Sequence, residues 1–195
     1  MKKLLITGFE PFGGESVNPS FEAVKLLPDK IGDYEITKLL VPVVFGKAGE
    51  TVLKAAESLN PDAVICVGQA AGRATVTPEF VAINLRFASI PDNEGAKPED
   101  VPVIPGGPAA YFSTLPVRAM AKAISDAGIP GAVSYSAGAY VCNDLLYSVL
   151  QHYENTTVKA AFIHVPLIPE QAKDGRPSLP LSDIAKALEA AISAI

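Results

Sequence analysis

Alternating strand-length and helix-period segments predict an α/β fold: a three-layer α/β/α sandwich around a largely parallel, twisted, mixed sheet, in a single domain over residues 1–195. Three observations carry this reading. The continuous apolar runs Ala63-Val-Ile-Cys-Val67 and Ala160-Ala-Phe-Ile-His-Val165 suit strands covered on both faces. Apolar residues at helical spacing fill the stretches between such runs. The length of 195 residues, 49% of them hydrophobic and 19% charged, suits one substantial core with no disordered or linker tract.

Taken in order, Leu4–Thr7 reads as the first strand. Asn18-Pro19 then reads as a helix N-cap followed by proline in the first turn, where its missing N–H is not needed. Tyr34–Val44 is a second strand region. In Lys47–Leu59, Val52, Ala55, Ala56 and Leu59 share a helical face, and Asn60-Pro61 stops the helix. Ala63–Val67 is a buried strand, and Phe80–Phe87 alternates as a strand with one face less buried. Ser89–Pro108, rich in Pro, Gly and Asp, is a long loop of the kind that carries function. Val117, Met120, Ala121 and Ile124 mark a helix ended by Gly128 and Pro130. Val133–Tyr135 is a short strand leading into a helix with Cys142, Leu145, Leu146 and Val149 on one face. After the strand Ala160–Val165, Ser182 caps a last amphipathic helix carrying Ile184, Leu188, Ala191 and Ile195.

Composition excludes several classes of function. The formal net charge is -5 and the basic residues are scattered, so no stripe is offered to a nucleic-acid backbone. No run approaches a membrane span, and the short apolar start lacks a cleavage site, so no membrane or export role is expected. Two cysteines provide neither a disulfide framework nor a cysteine-rich zinc site, which fits a cytoplasmic home. No His/Asp/Glu cluster has metal-ligand spacing, so no metal is expected.

The chemistry concentrates around Ser134-Tyr-Ser-Ala-Gly-Ala-Tyr-Val-Cys142-Asn143. Cys142 lies on an apolar helix face, where a free cysteine reads first as core. Its place in the first turn, after the Ala137-Gly138 turn, favours a nucleophile instead. There the helix dipole and unpaired N–H groups lower a thiol's pKa, and the thiolate is the reactive form. Cys66, in the middle of its apolar run, reads as core.

Of the two histidines, His152 ends a helix, an ordinary solvated position. His164 ends a buried strand, and the carboxyl ends of strands face the ligand crevice in open α/β sheets, so His164 is the stronger base. Such a base needs an acceptor to fix its tautomer. Glu79, before the apolar Phe80-Val-Ala-Ile83, is the candidate, with a simple surface carboxylate as the other reading. Gly8-Phe-Glu-Pro-Phe-Gly-Gly14 lacks the ending of a phosphate loop. Its Phe9 and Phe12 suit an apolar pocket for a small ligand.

Together these residues resemble one family. Thr7-Gly-Phe-Glu-Pro-Phe-Gly-Gly14, Gly68-Gln-Ala-Ala-Gly-Arg73 with Glu79 and Asn84, Ile90-Pro-Asp-Asn-Glu-Gly95 and Pro105-Gly-Gly-Pro-Ala-Ala-Tyr111 are similar to segments of the pyrrolidone-carboxylate peptidases (pyroglutamyl peptidase I). So are Ser136–Asn143 and Phe162–Pro166 with Ile168-Pro-Glu-Gln171. The resemblance runs nearly end to end. It implies a single catalytic domain, a cytosolic cysteine exopeptidase without cofactor that removes N-terminal pyroglutamate from peptides and commonly assembles as a homotetramer. It implies Cys142 as nucleophile, His164 as general base and acid, and Glu79 as the group orienting His164. Phe9 and Phe12 would sandwich the lactam, with Gln69, Val43, Ile90, Tyr140 and Val141 lining the pocket.

The chain departs from the family pattern at Phe80, where a basic residue usually follows the glutamate, and at Ser89, where an arginine precedes Ile-Pro-Asp-Asn. Arg86 is an addition, and the segment between His152 and His164 is short. Phe80 and Ser89 keep two other readings in view: a related cysteine amidohydrolase with a changed substrate, and an impaired homologue that still binds pyroglutamyl ligands. Arg73 and Arg86 are the residues that would restore the missing charge.

Overall fold

The computed structural model describes residues 1–173 and 175–195. In chain order the elements are β1 (Lys2–Phe9), α1 (Pro19–Leu26), β2 (Lys30–Ile31), β3 (Tyr34–Val41), α2 (Lys47–Leu59) and β4 (Ala63–Gln69). These are followed by β5 (Thr77–Glu79), β6 (Val81–Ile83), β7 (Ala110–Phe112), α3 (Val117–Asp126), α4 (Val141–His152), β8 (Lys159–Val165) and α5 (Leu181–Ser193). A six-stranded sheet runs in the order β2-β3-β1-β4-β8-β5. Its centre, β3-β1-β4-β8, is parallel, and both edges are antiparallel. The mixed, largely parallel sheet of the sequence reading is therefore present.

Burial explains the layering. In β1, β4 and β8 nearly every residue is buried, as parallel strands covered on both faces require. On one face α1, α3 and α5 pack with Leu4, Ile6, Ile65 and Ile163 into one cluster. On the other, α2 and α4 pack with Leu5, Val64, Cys66 and Phe162 into a second. The alternation of β1 and β4 side chains between the clusters is the two-residue period of a strand.

Local chemistry sets the boundaries. Asn18 caps α1 by accepting from the Ser20 N–H at 3.1 Å, with Pro19 in the first turn, as its sequence predicts. Helix α2 spans the residues expected for it. Several expectations change. The second strand region stops at Val41 rather than Val44, and the short strands β2 and β7 were not anticipated. Phe80–Phe87 is not one strand. β5 pairs with β8, then at Phe80 the chain changes partners and β6 pairs with β7. The Asn84 side chain holds Ile104 N–H and the Ile104 and Gly107 carbonyls, fixing the chain away from the main sheet.

Val133–Tyr135 is also not a regular strand; this segment meets β5 and its approach only through single bridges, Val76 to Gly131 and Glu79 to Ser134. Ser182 does not cap α5, because Pro180 occupies the N-cap position and Ser182 lies inside the first turn. Between His152 and β8 only six residues intervene, 153–158, consistent with the short segment noted in the sequence.

Candidate active site

Three strands end where the chemistry gathers: β1 at Phe9, β4 at Gln69 and β8 at His164-Val165. Helix α4 points its start at the same place. Its N-cap, Tyr140, offers no side-chain cap, and the first intrahelical bond runs from Asp144 N–H to Tyr140 C=O. The N–H groups of Val141, Cys142 and Asn143 precede that bond and lack an intrahelical partner. Gly138, with φ at +77°, makes the left-handed turn that brings the chain into this start.

Cys142 is the second residue of α4 and is half-buried. Its sulfur stands directly over Gly68 of β4: a Cβ at Gly68 would lie 2.9 Å from Cys142 Sγ and 2.7 Å from Phe162 Cζ. Gly68 pairs in register with His164 on the neighbouring parallel strand. Side chains of paired residues leave the same face, so sulfur and imidazole share one side of the sheet on neighbouring strands.

His164 Nδ1 lies 2.6 Å from Glu79 Oε1, reached across the β8–β5 pairing. Glu79 has no exposed surface, which overturns its surface reading. Arg73 donates to the same oxygen at 2.6 Å. Burial pushes the Glu79 carboxyl up, but the His164 hydrogen bond and charge and the Arg73 guanidinium outweigh it, so Glu79 stays below its ordinary value. An ionised Glu79 makes Nδ1 the protonated ring nitrogen and leaves Nε2 as an acceptor.

Burial holds the His164 imidazole below its ordinary pKa, against the opposing pull of Glu79. Burial and the Glu79 charge push the Cys142 thiol up to about 12, with Arg73 pulling the other way. The lowering expected from the helix start is thus opposed by desolvation of the sulfur and by the Glu79 charge. The pair rests as neutral thiol and neutral imidazole. Cys66 is fully buried and its thiol is likewise pushed up to about 12 by burial. His152, at the exposed end of α4, meets only the edge of Tyr153 in its ring contacts and is remote from this cluster in the fold.

A small pocket opens beside the sulfur, lined by Phe9, Phe12, Asn18, Val43, Gln69, Tyr140, Val141 and Cys142. Phe9 is buried against Phe162, and Phe12 packs on Tyr140, which meets Phe45 edge-on. Ile90 is not in this lining. It is 45% exposed, with its Cδ1 4.0 Å from where a Cβ on Gly13 would lie, at the mouth of the loop. The segment after Ile90 holds the rim: Asp92 accepts from Phe45, Glu94 and Ala96 N–H groups, and Asn93 donates to Glu10 Oε1 and Pro11 C=O.

Sequence reasoning missed one pocket residue and one behind it. Asn18 lines the pocket besides capping α1, a double duty that its capping signal hid. Gln171 donates to Gln69 Oε1 at 3.1 Å and to Val17 C=O, while its own oxygen accepts from Ile168 N–H. That chain of bonds fixes the Gln69 amide with its oxygen turned to Gln171.

The departures also find places. Phe80 packs beneath α3 on the opposite face of the sheet, between Phe112 and Tyr135, with the Arg118 guanidinium 5.4 Å from its ring centre. It does not enter the site. Arg73 supplies the cation at Glu79, whereas Arg86 is bound to the buried Asp144 of α4 at 2.5 Å. Ser89 is exposed, next to Ile90. Among the described residues no cluster of three or more His, Cys, Asp or Glu is placed to hold a metal ion.

An open α/β sheet with a thiol, an imidazole–carboxylate pair and an aromatic pocket at the carboxyl ends of its strands has the architecture of an α/β enzyme. The family model described as pyroglutamyl peptidase matches residues 2–195. The pyrrolidone-carboxylate peptidase of Enterococcus faecalis is 55% identical over 175 residues, 88% of this chain and 82% of the relative. That of Lactobacillus johnsonii is 52% identical over 197 residues, 99% of this chain and 92% of the relative. The crystal structure of Bacillus amyloliquefaciens pyroglutamyl peptidase I superposes with a TM-score of 0.96 at 47% identity, covering 100% of this chain and 96% of that one. The chain belongs to the pyroglutamyl peptidase family.

Proposed function

We propose that this protein removes N-terminal pyroglutamate from peptides, using Cys142 as nucleophile, His164 as general base and acid, and Glu79 to orient His164. The observation that carries the reading is the register of Cys142 Sγ over Gly68, beside His164 and its 2.6 Å bond to Glu79, at the wall of a small aromatic pocket.

The pocket suits an uncharged, flat lactam, with Phe9 and Phe12 on its faces and Val43, Gln69, Tyr140 and Val141 around it. Because the pocket closes behind the ring, nothing extends beyond pyroglutamate, which accounts for exopeptidase action. As the thiol attacks the pyroglutamyl carbonyl, His164 Nε2 takes the sulfhydryl proton and a C–S bond forms. The carbonyl oxygen gains the charge beside the free N–H groups of α4. The C–N bond then breaks as His164 returns its proton to the leaving amine, giving a thioester. Water attacks the thioester, His164 takes its proton, and pyroglutamate and the thiol are released.

The test is release of a fluorophore from a pyroglutamyl amide. Cys142→Ala abolishes release in this reading and Cys66→Ala leaves it largely intact; comparable turnover by the Cys142 variant sinks the assignment. The altered-substrate and impaired-homologue readings leaned on Phe80 and Ser89, and the placement of Phe80 away from the thiol removes half their motive. No helix among the described residues is long and apolar enough to cross a membrane. We read the protein as a cytoplasmic homotetramer.

A further inference from the structure

Arg73 lies in the loop between β4 and β5, outside both the pocket lining and the Cys142, His164 and Glu79 set. Its guanidinium makes three side-directed bonds. One Nη1 donates to Glu79 Oε1 at 2.6 Å and to Thr77 Oγ1 at 2.5 Å; Nη2 donates to the Ser136 carbonyl at 3.0 Å. The Ser136 carbonyl belongs to the turn that delivers Cys142, and Ser134 in the same turn bridges the backbone of Glu79. One planar side chain thus spans the carboxylate behind the imidazole and the segment ahead of the thiol. The cation at the carboxylate is Arg73, because Phe80, next along the chain, is uncharged and faces the far side of the sheet.

We propose that Arg73 is a positioning residue of this site: its guanidinium locks the Glu79 carboxylate to the Ser134–Ser136 turn and so sets His164 opposite Cys142. The proposal rests on the reading of Cys142 and His164 as the reacting pair. A lysine, with a point charge and no fork, cannot hold the carboxylate and the carbonyl together. The charged and titratable groups facing His164 are Glu79 from β5, Arg73 from the preceding loop and the Cys142 thiol from α4, with Cys66 behind it on β4. Of these, Arg73 opposes protonation of His164. Removing its charge therefore raises the pH at which the imidazole protonates.

The chain has two histidines, so ring titrations of His164 and His152 are followed by NMR in one sample. The variants are Arg73→Met, Arg73→Gln, which keeps donors without charge, and Arg73→Lys. In Met and Gln the His164 midpoint rises relative to wild type, and His152 does not move. The pyroglutamyl amide kcat falls by roughly 10-fold or more with KM little changed, and the acid limb of kcat/KM moves up with the His164 midpoint. Arg73→Lys restores the midpoint but not kcat. An unmoved His164 midpoint in Arg73→Gln, or full kcat in Arg73→Lys, overturns the proposal. Failure of the functional reading is separate, since it shows as a wild-type protein that does not turn over the amide while the titration still reads.

Discussion

A buried imidazole whose proton is opposed by desolvation and by a nearby guanidinium stays neutral to lower pH than a free histidine. In the proposed mechanism the base form of His164 is the reactive one, so the sign follows directly. The acid limb of kcat/KM for the free enzyme lies below the ordinary histidine value of 6.5, and a limb at or above it contradicts a buried, Glu79-paired base. His164 was legible in the sequence because a polar residue at the end of an apolar strand has few structural reasons to be there, whereas Glu79, placed before an apolar run, kept a surface reading until the motifs were taken together. Arg73 was legible only as part of a motif, since its partners lie six residues and sixty-three residues away. The thiol's raised pKa was not legible at all. Helix position predicted a lowered value, and only packing around the sulfur reveals the desolvation that wins.

At the scale of elements, β4 and α4 meet at Gly68, and the absence of a side chain there is what admits the sulfur and the Phe162 ring. Gly68→Ala places a methyl 2.9 Å from Cys142 Sγ and 2.7 Å from Phe162 Cζ. Overpacking of this kind costs about 1–3 kcal/mol. The expected outcome is a lowered melting temperature with a disproportionate loss of pyroglutamyl amide turnover; normal turnover means the sulfur does not sit over β4. Helix α4 is further tied down by Asn143, whose side chain bonds the Ile83 N–H and the Ile83 and Leu85 carbonyls, and by the Arg86–Asp144 pair. The central strands and α1, α2 and α3 were readable from apolar period, proline and capping residues. The β5–β6 break at Phe80 was not, because alternation continues through it while the hydrogen-bonding partner changes.

For the whole molecule, stability and catalysis share the same titrating groups. Glu79 and His164 both bind protons less readily folded than unfolded, so each contributes stability that is present above its unfolded pKa and is lost as pH falls. The melting temperature is expected to decline on acidification through 6.5, as His164 begins to protonate in the unfolded chain, and further through 4.5 for Glu79. A melting temperature flat from pH 7 to 4 contradicts the buried pair. The proposed tetramer is checked by light scattering at micromolar protein, where a monomer mass refutes it. The neutral, enclosed resting thiol also has a consequence for the idle molecule. Peroxide attacks thiolates, and a sulfhydryl kept protonated beneath a helix start offers it little. In the proposed mechanism, oxidation is then expected mainly when the imidazole has drawn the proton away, and a Cys142 consumed by peroxide as fast as an exposed, ionised thiol contradicts that expectation.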